Sequence, residues 1–201
     1  MRPHILLIVL SFAVAFEICA QKTMDSTASV RWYVPHYVPV QFAGNIGLFS
    51  TGVGYSSNHD NYRLNILYGY VPASVGGTRI HTVTFKNIFP IARYSLRNNE
   101  TLFPYLGVGL SIEVGGISFL RMPDHYPDSY YDFPKNLHVI GFGGVKLQHL
   151  FGDDARFLQG IEFYAEAGSI DVYLWYKAIS RQIRLQNVFS LALGVNLLLK
   201  R

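Results

Sequence analysis

Acyl transfer at a serine needs a nucleophile, a histidine base and a carboxylate within hydrogen-bond reach of one another. The best such set in this chain is Ser74, His81 and either Glu166 or Asp171. Their separation in sequence is wide, so only a fold can assemble them. His81 also has a plainer use as a surface residue, because period-2 alternation puts it on the same strand face as Val83 and Phe85. Glu162 and Glu166 offer a second chemistry, the paired carboxylates of general acid–base catalysis. Four residues along one strand span about 13 Å, too far for concerted work, which favours a structural use of these charges. A third group lies within 121–135 and comprises Asp124, His125, Tyr126, Asp128, Tyr130 and Tyr131. Oxygen-rich loops bind calcium, but these carboxylates follow no regular ligand spacing. The segment suits a loop folded on its own aromatics, or a contact surface for an extracellular glycan or protein. No Walker loop, dinucleotide fingerprint, His-Glu-x-x-His run or Gly-x-Ser-x-Gly elbow occurs. No cofactor and no metal is therefore expected.

The composition narrows what could position these residues. Half of the 201 residues are hydrophobic and 15% are aromatic, while 15% are charged, against about 25% in an average soluble domain. A mean hydropathy of +0.18 excludes a disordered polar chain. The net charge of +4 is small for a nucleic-acid surface, so no nucleic-acid partner is expected. One Cys excludes a disulfide framework and a multi-Cys zinc site. A greasy globular domain or a membrane protein remains.

The first twenty residues read as a signal peptide. Arg2 supplies a positive start, Ile5–Phe16 is apolar, and Ala20 is a small residue before the expected cut. The apolar run is too short to cross a bilayer as a helix. Cleavage after Ala20 leaves one domain over 21–201, removes Cys19 and makes the protein an exported one.

The remainder alternates with period 2 over long segments. From Ile183 to Leu199 the odd positions are mostly large and apolar, and the even ones are mostly small or polar. Comparable alternation runs through Tyr62–Tyr70, Ile80–Phe89, Phe103–Val114 and Gly160–Ala167, the last continuing through Asp171–Tyr176. Leu137–Phe151 and Gln41–Tyr55 are weaker and Gly-rich, and Val30–Pro39 supplies an eighth segment. Such lengths match tilted membrane strands of about 9–11 residues plus extensions. The fold class predicted is all-β, a closed antiparallel up-and-down transmembrane barrel of about eight strands. Short turns belong at the periplasmic end and long loops outside, which puts 118–136 outside. Alternation then directs Arg63, Lys86, Glu113, Glu162, Glu166 and Arg184 into the lumen, with His138 and Lys146 as further members. An eight-stranded lumen is just wide enough to be filled by side chains, so these charges must pair.

At this point the chain resembles the small eight-stranded outer-membrane barrels of Gram-negative bacteria, and most of all exported barrels of the Bacteroidetes type. The resemblance is carried by Gln41-Phe42-Ala43-Gly44-Asn45-Ile46-Gly47, Tyr68-Gly69-Tyr70-Val71-Pro72, the loop Tyr126-Pro127-Asp128-Ser129-Tyr130-Tyr131, and Asp171-Val172-Tyr173. It implies a monomer in the cell outer membrane with outer-membrane lipids around it, and attaches no activity to these runs. The chain departs from many such barrels in ending Leu199-Lys200-Arg201 rather than in an aromatic. The function expected is structural or in surface interaction, with a filled lumen. One alternative is a lipid A-modifying enzyme, deacylase or acyltransferase-like. Deacylase barrels carry a His-x-Ser-Asn run, whereas Ser57-Asn58-His59 has those letters in another order. A second alternative is a periplasmic barrel binding an apolar ligand.

Overall fold

Long alternating strands cannot bury one face alone, and in this chain they do so by closing on themselves. The computed structural model describes residues 33–57, 60–97, 99–114, 136–152, 157–179, 184 and 188–200. Its elements are β1 (Tyr37–Ala43), β2 (Phe49–Ser56), β3 (Arg63–Val71), α1 (Ala73–Gly76), β4 (Ile80–Pro90), β5 (Tyr94–Arg97), β6 (Glu100–Val114), β7 (Leu137–Leu150), β8 (Leu158–Ile170), α2 (Asp171–Ile179) and β9 (Ser190–Leu199). Neighbours pair antiparallel in chain order, and β1 pairs with β9 to close the cylinder. The short β5 pairs only with the start of β6, while β4 pairs with the rest of it. The result is a closed eight-stranded antiparallel barrel. Closure leaves no edge among the eight strands of the wall, with the short β5 alone paired on one side.

β1 begins and β9 ends at the same end of the barrel as the connections 57–62, 91–99 and 151–157. The connections 44–48, 72–79, 115–136 and 171–189 lie at the opposite end, called here the loop end. The faces follow the alternation. Leu191 and Leu193 on β9 stand outward at 74% and 60% exposed, while Ala192, Asn196 and Leu198 are buried inside.

Four boundaries differ from the sequence-based expectation. The first strand is Tyr37–Ala43 rather than Val30–Pro39. Gln41–Tyr55 is not one strand but the end of β1, a turn and β2. Ala43, which ends β1, and Gly44 and Gly47 in the turn have φ of 61°, 91° and 145°, values that glycine tolerates best. The turn folds inward: Ile46 is buried in the core cluster, and Thr82 donates its hydroxyl to the Ile46 carbonyl. Asp171–Tyr176 belongs to α2, because a short apolar run fits a helix as well as a strand. Asp171 opens that helix by accepting the Val172 N–H on its own carboxylate at 2.8 Å. β9 starts at Ser190, not Ile183, which leaves Arg184 exposed and outside the strand. The expected leader 1–20 and the loop residues Asp124, His125, Tyr126, Asp128, Tyr130 and Tyr131 lie outside the described residues.

Glycine solves the volume problem of so narrow a barrel. Four large inward aromatics sit opposite a glycine on the next strand: Tyr37 by Gly54, Tyr105 by Gly144, Phe142 by Gly107 and Tyr164 by Gly194. A Cβ added at Gly107 would stand 2.3 Å from the Phe142 ring and 2.6 Å from the Asn87 carbonyl oxygen. The ring takes the space that a second side chain would need.

Gly107→Ala is therefore expected to lower stability by about 1–3 kcal/mol through overpacking. Gly141→Ala, where a Cβ meets nothing within 4 Å, is expected to be near neutral. Denaturant unfolding of the two variants checks this, and equal midpoints would overturn the packing account.

Candidate functional site

The inner face of the barrel carries charge. Near the end where β1 begins and β9 ends, called here the terminus end, Arg63 on β3 lies between two carboxylates. Its Nη1 and Nη2 donate to Glu162 on β8 at 2.7 and 2.8 Å, and its Nε and Nη2 donate to Asp60 at 2.5 and 2.6 Å. The planar guanidinium fork suits two bidentate partners at once. Asn196 on β9 donates a third hydrogen bond to Glu162, at 2.8 Å. The rings of Tyr37 and Phe103 flank the guanidinium at 5.4 and 5.8 Å.

Deeper in, Lys86 on β4 donates to both oxygens of Glu166 on β8, at 2.6 and 2.7 Å, and to Gln41 at 3.3 Å. Tyr105 donates to Glu166 at 3.1 Å, and Tyr164 donates to the same Gln41 oxygen at 3.2 Å. The Lys86 ammonium also lies 4.2 Å from the centre of the Phe142 ring. Between the two centres stands Lys146 on β7. Its ammonium sits 4.9 Å over the Tyr105 ring, with no hydrogen-bond partner among the described residues. Three cations, Arg63, Lys86 and Lys146, thus share the lumen with three carboxylates, Asp60, Glu162 and Glu166. Toward the loop end the lining turns to hydroxyls, with Thr84 and Ser111 bonded at 2.8 Å.

The inward residues expected from alternation are distributed as follows. Arg63, Lys86, Lys146, Glu162 and Glu166 are buried in the lumen and, Lys146 apart, tied into the two centres. Glu113 is half-buried on β6, opposite Thr82 near the loop end. His138 is half-buried on β7, its Nδ1 3.5 Å from Asp171 Oδ1. Arg184 is not in the lumen, since the strand that would have carried it starts six residues later.

Ser74, His81, Glu166 and Asp171 are not brought together. Ser74 is exposed on α1. His81 shares the outward face of β4, where its Nδ1 meets the Tyr68 hydroxyl at 2.5 Å and its ring packs on Tyr68 and Tyr70. Glu166 is inside, committed to Lys86 and Tyr105, so the barrel wall stands between it and His81. Glu162 and Glu166 each accept three hydrogen bonds from a cation and a neighbouring donor. A cavity of about 180 Å³ opens at the terminus end, lined by His36, Tyr37, Ser56, Asp60, Gln148 and Gln159 among others, and it abuts the Arg63 pair.

Several members of the network were not singled out from the sequence. Asp60 precedes Arg63 by three residues in a short turn, a spacing that could have flagged the pair. Asn196 interrupts an apolar run at an inward position, and Gln41 is polar between apolar neighbours; each is a signal of an inward polar role. Tyr105 and Tyr164 gave no such signal, because a tyrosine serves either face.

In comparison with known proteins, no family model, no curated protein and no solved structure matches this chain.

Removing one partner of a buried ion pair strands the other, at about 3–5 kcal/mol. Lys86→Met is expected to cost that much, and Lys86→Met combined with Glu166→Leu is expected to cost less than Lys86→Met alone. Unfolding the two variants beside the parent protein in urea tests this coupling; additive losses would mean that the pair is not energetically linked.

Proposed function

We propose that this chain is an outer-membrane β-barrel with a plugged lumen, exported by its leader and serving a structural or surface-interaction role at the cell exterior. The observation that carries this reading is the inverted partition of side chains. Val40, Phe42, Tyr68, Leu106, Phe163 and Leu193 stand outward and well exposed, while Arg63, Lys86, Lys146, Glu162 and Glu166 are buried inside. A soluble monomer rarely presents so much contiguous apolar surface, whereas a bilayer demands it of every strand that crosses. A closed barrel is also one of the two backbone forms that lipid tolerates. The positions of the ends add support, since β1 begins and β9 ends on the side opposite 115–136, the longest connection, and the long loops of such barrels face outside.

The surrounding partner is then outer-membrane lipid, and the protein is a monomer because closure leaves no strand to share. The connections at the loop end form the exterior surface, and 115–136 is the longest of them. A lipid A-modifying enzyme needs an assembled nucleophile and base facing the outer leaflet, and His81 has a tyrosine as its partner instead. A carrier for an apolar ligand needs an apolar cavity, and the lumen here is occupied by its own charges and rings.

Two measurements test the proposal. Carbonate extraction of membranes from expressing cells is expected to leave the protein in the pellet; release into the supernatant would refute membrane integration. Leu193→Arg, on the lipid face, is expected to cost about 2–4 kcal/mol near the midplane, measured by unfolding from vesicles, and a negligible loss would contradict the assigned facing.

A further inference from the structure

At the loop end, α2 holds apolar side chains away from the barrel. Tyr173, Leu174, Trp175 and Ile179 are 43%, 45%, 59% and 68% exposed on this nine-residue helix. No linker separates it from the wall, since β8 ends at Ile170 and α2 begins at Asp171. Its first turn is clasped to the rim, where Asp171 caps the Val172 N–H and faces His138 on β7 at 3.5 Å. Its main packing partners are β7 and β8, the strand it leaves and that strand's neighbour. A helix that leans on two adjacent strands stays to one side of the mouth. The apolar belt continues beside it: Val139 on β7 adjoins the clasp residue His138, and Phe189 and Leu191 mark the start of β9.

We propose that α2 is an interfacial anchor, with Tyr173, Leu174, Trp175 and Ile179 lying in the headgroup–acyl boundary of the outer leaflet. The inference rests on the barrel being embedded in lipid and extends its apolar surface from strands to a helix. The residue types fit the location. Tryptophan and tyrosine prefer the membrane–water interface, where an apolar ring and a polar edge are both satisfied. A helix lying in that plane buries such side chains to a depth of about 5–10 Å. Asp171 and Lys177 on the same helix are half-buried. Anchored in this way, α2 would hold the connection between β8 and β9 down on the lipid surface, away from the mouth.

The test uses the full chain inserted in phosphatidylcholine vesicles whose acyl chains carry bromine either near the headgroup or near the chain end. The protein has two tryptophans, so Trp32→Phe leaves Trp175 as the sole reporter. A second reporter carries Leu193→Trp with Trp32→Phe and Trp175→Phe. Both are expected to lose emission, Trp175 more from headgroup-proximal bromine than from chain-end bromine. If the reporter at 193 is quenched and Trp175 is not, the anchor is overturned while the membrane barrel stands. In that case, quenching of Trp175 by acrylamide would mark a helix open to water and available to a protein partner, and shielding would mark one covered by the chain itself. Stronger quenching of Trp175 by chain-end bromine would overturn the interfacial depth. If neither reporter is quenched, the membrane barrel itself fails, and the anchor with it.

Discussion

Charges that cannot reach water dominate this molecule. Arg63, Lys86, Lys146, Glu162 and Glu166 are all buried, and each would cost several kcal/mol to desolvate alone. The two carboxylates on β8 receive their cations from β3 and β4, across the lumen and 99 and 80 residues away in the chain. Only a closed wall of the right circumference puts those partners at hydrogen-bond distance. The ion pairs therefore discriminate against other registers, because a slip of one residue would turn each charge to the outer face. This is a statement about specificity more than about net stability, since a buried ion pair does little better than a well-packed apolar substitute.

The same narrowness governs the aromatics. Tyr37, Tyr105, Phe142 and Tyr164 occupy a lumen that has no room for a second side chain beside each ring, and glycine supplies the vacancy on the neighbouring strand. These rings in turn line the charged centres: Tyr105 bonds Glu166, Tyr37 flanks Arg63, and Phe142 faces the Lys86 ammonium. Ile46, folded in from the β1–β2 turn, fills the loop end of the same space. A lumen built this way is a core with its polarity inverted.

The division between the two faces explains why the residues with catalytic potential stay apart. A strand delivers alternate residues to opposite faces, so His81 and Glu166 ended on different sides of one wall. The carboxylates inside are held by cations, and the histidine outside is held by tyrosine. His138 and Asp171, at the rim, join a strand to a helix.

The pleat of a strand is local, and for that reason the sequence alone determined which face most residues take. Arg63, Lys86, Glu162 and Glu166 were legible as inward and Val83, Phe85 and Leu193 as outward; seven alternating segments were visible, and the eighth came from the even strand number of such barrels, at Val30–Pro39 instead of the observed Tyr37–Ala43. The tertiary structure decided what is not local. It decided that Gly44–Leu48 is a turn folded into the lumen, although alternation runs weakly through it, because Gly44 and Gly47 take positive φ and Ile46 finds a buried seat. It decided that Asp171–Ile179 is a helix, since a short apolar run fits either form until its surroundings choose, and this moved Arg184 out of the wall. It also decided the partners: that Glu166 answers Lys86, that Asp60 joins Glu162 on Arg63, and that Tyr37, Tyr105, Phe142 and Tyr164 each meet a glycine. Pairing of that kind depends on the register and closure of strands far apart in the chain, a property of the whole cylinder and of no single segment.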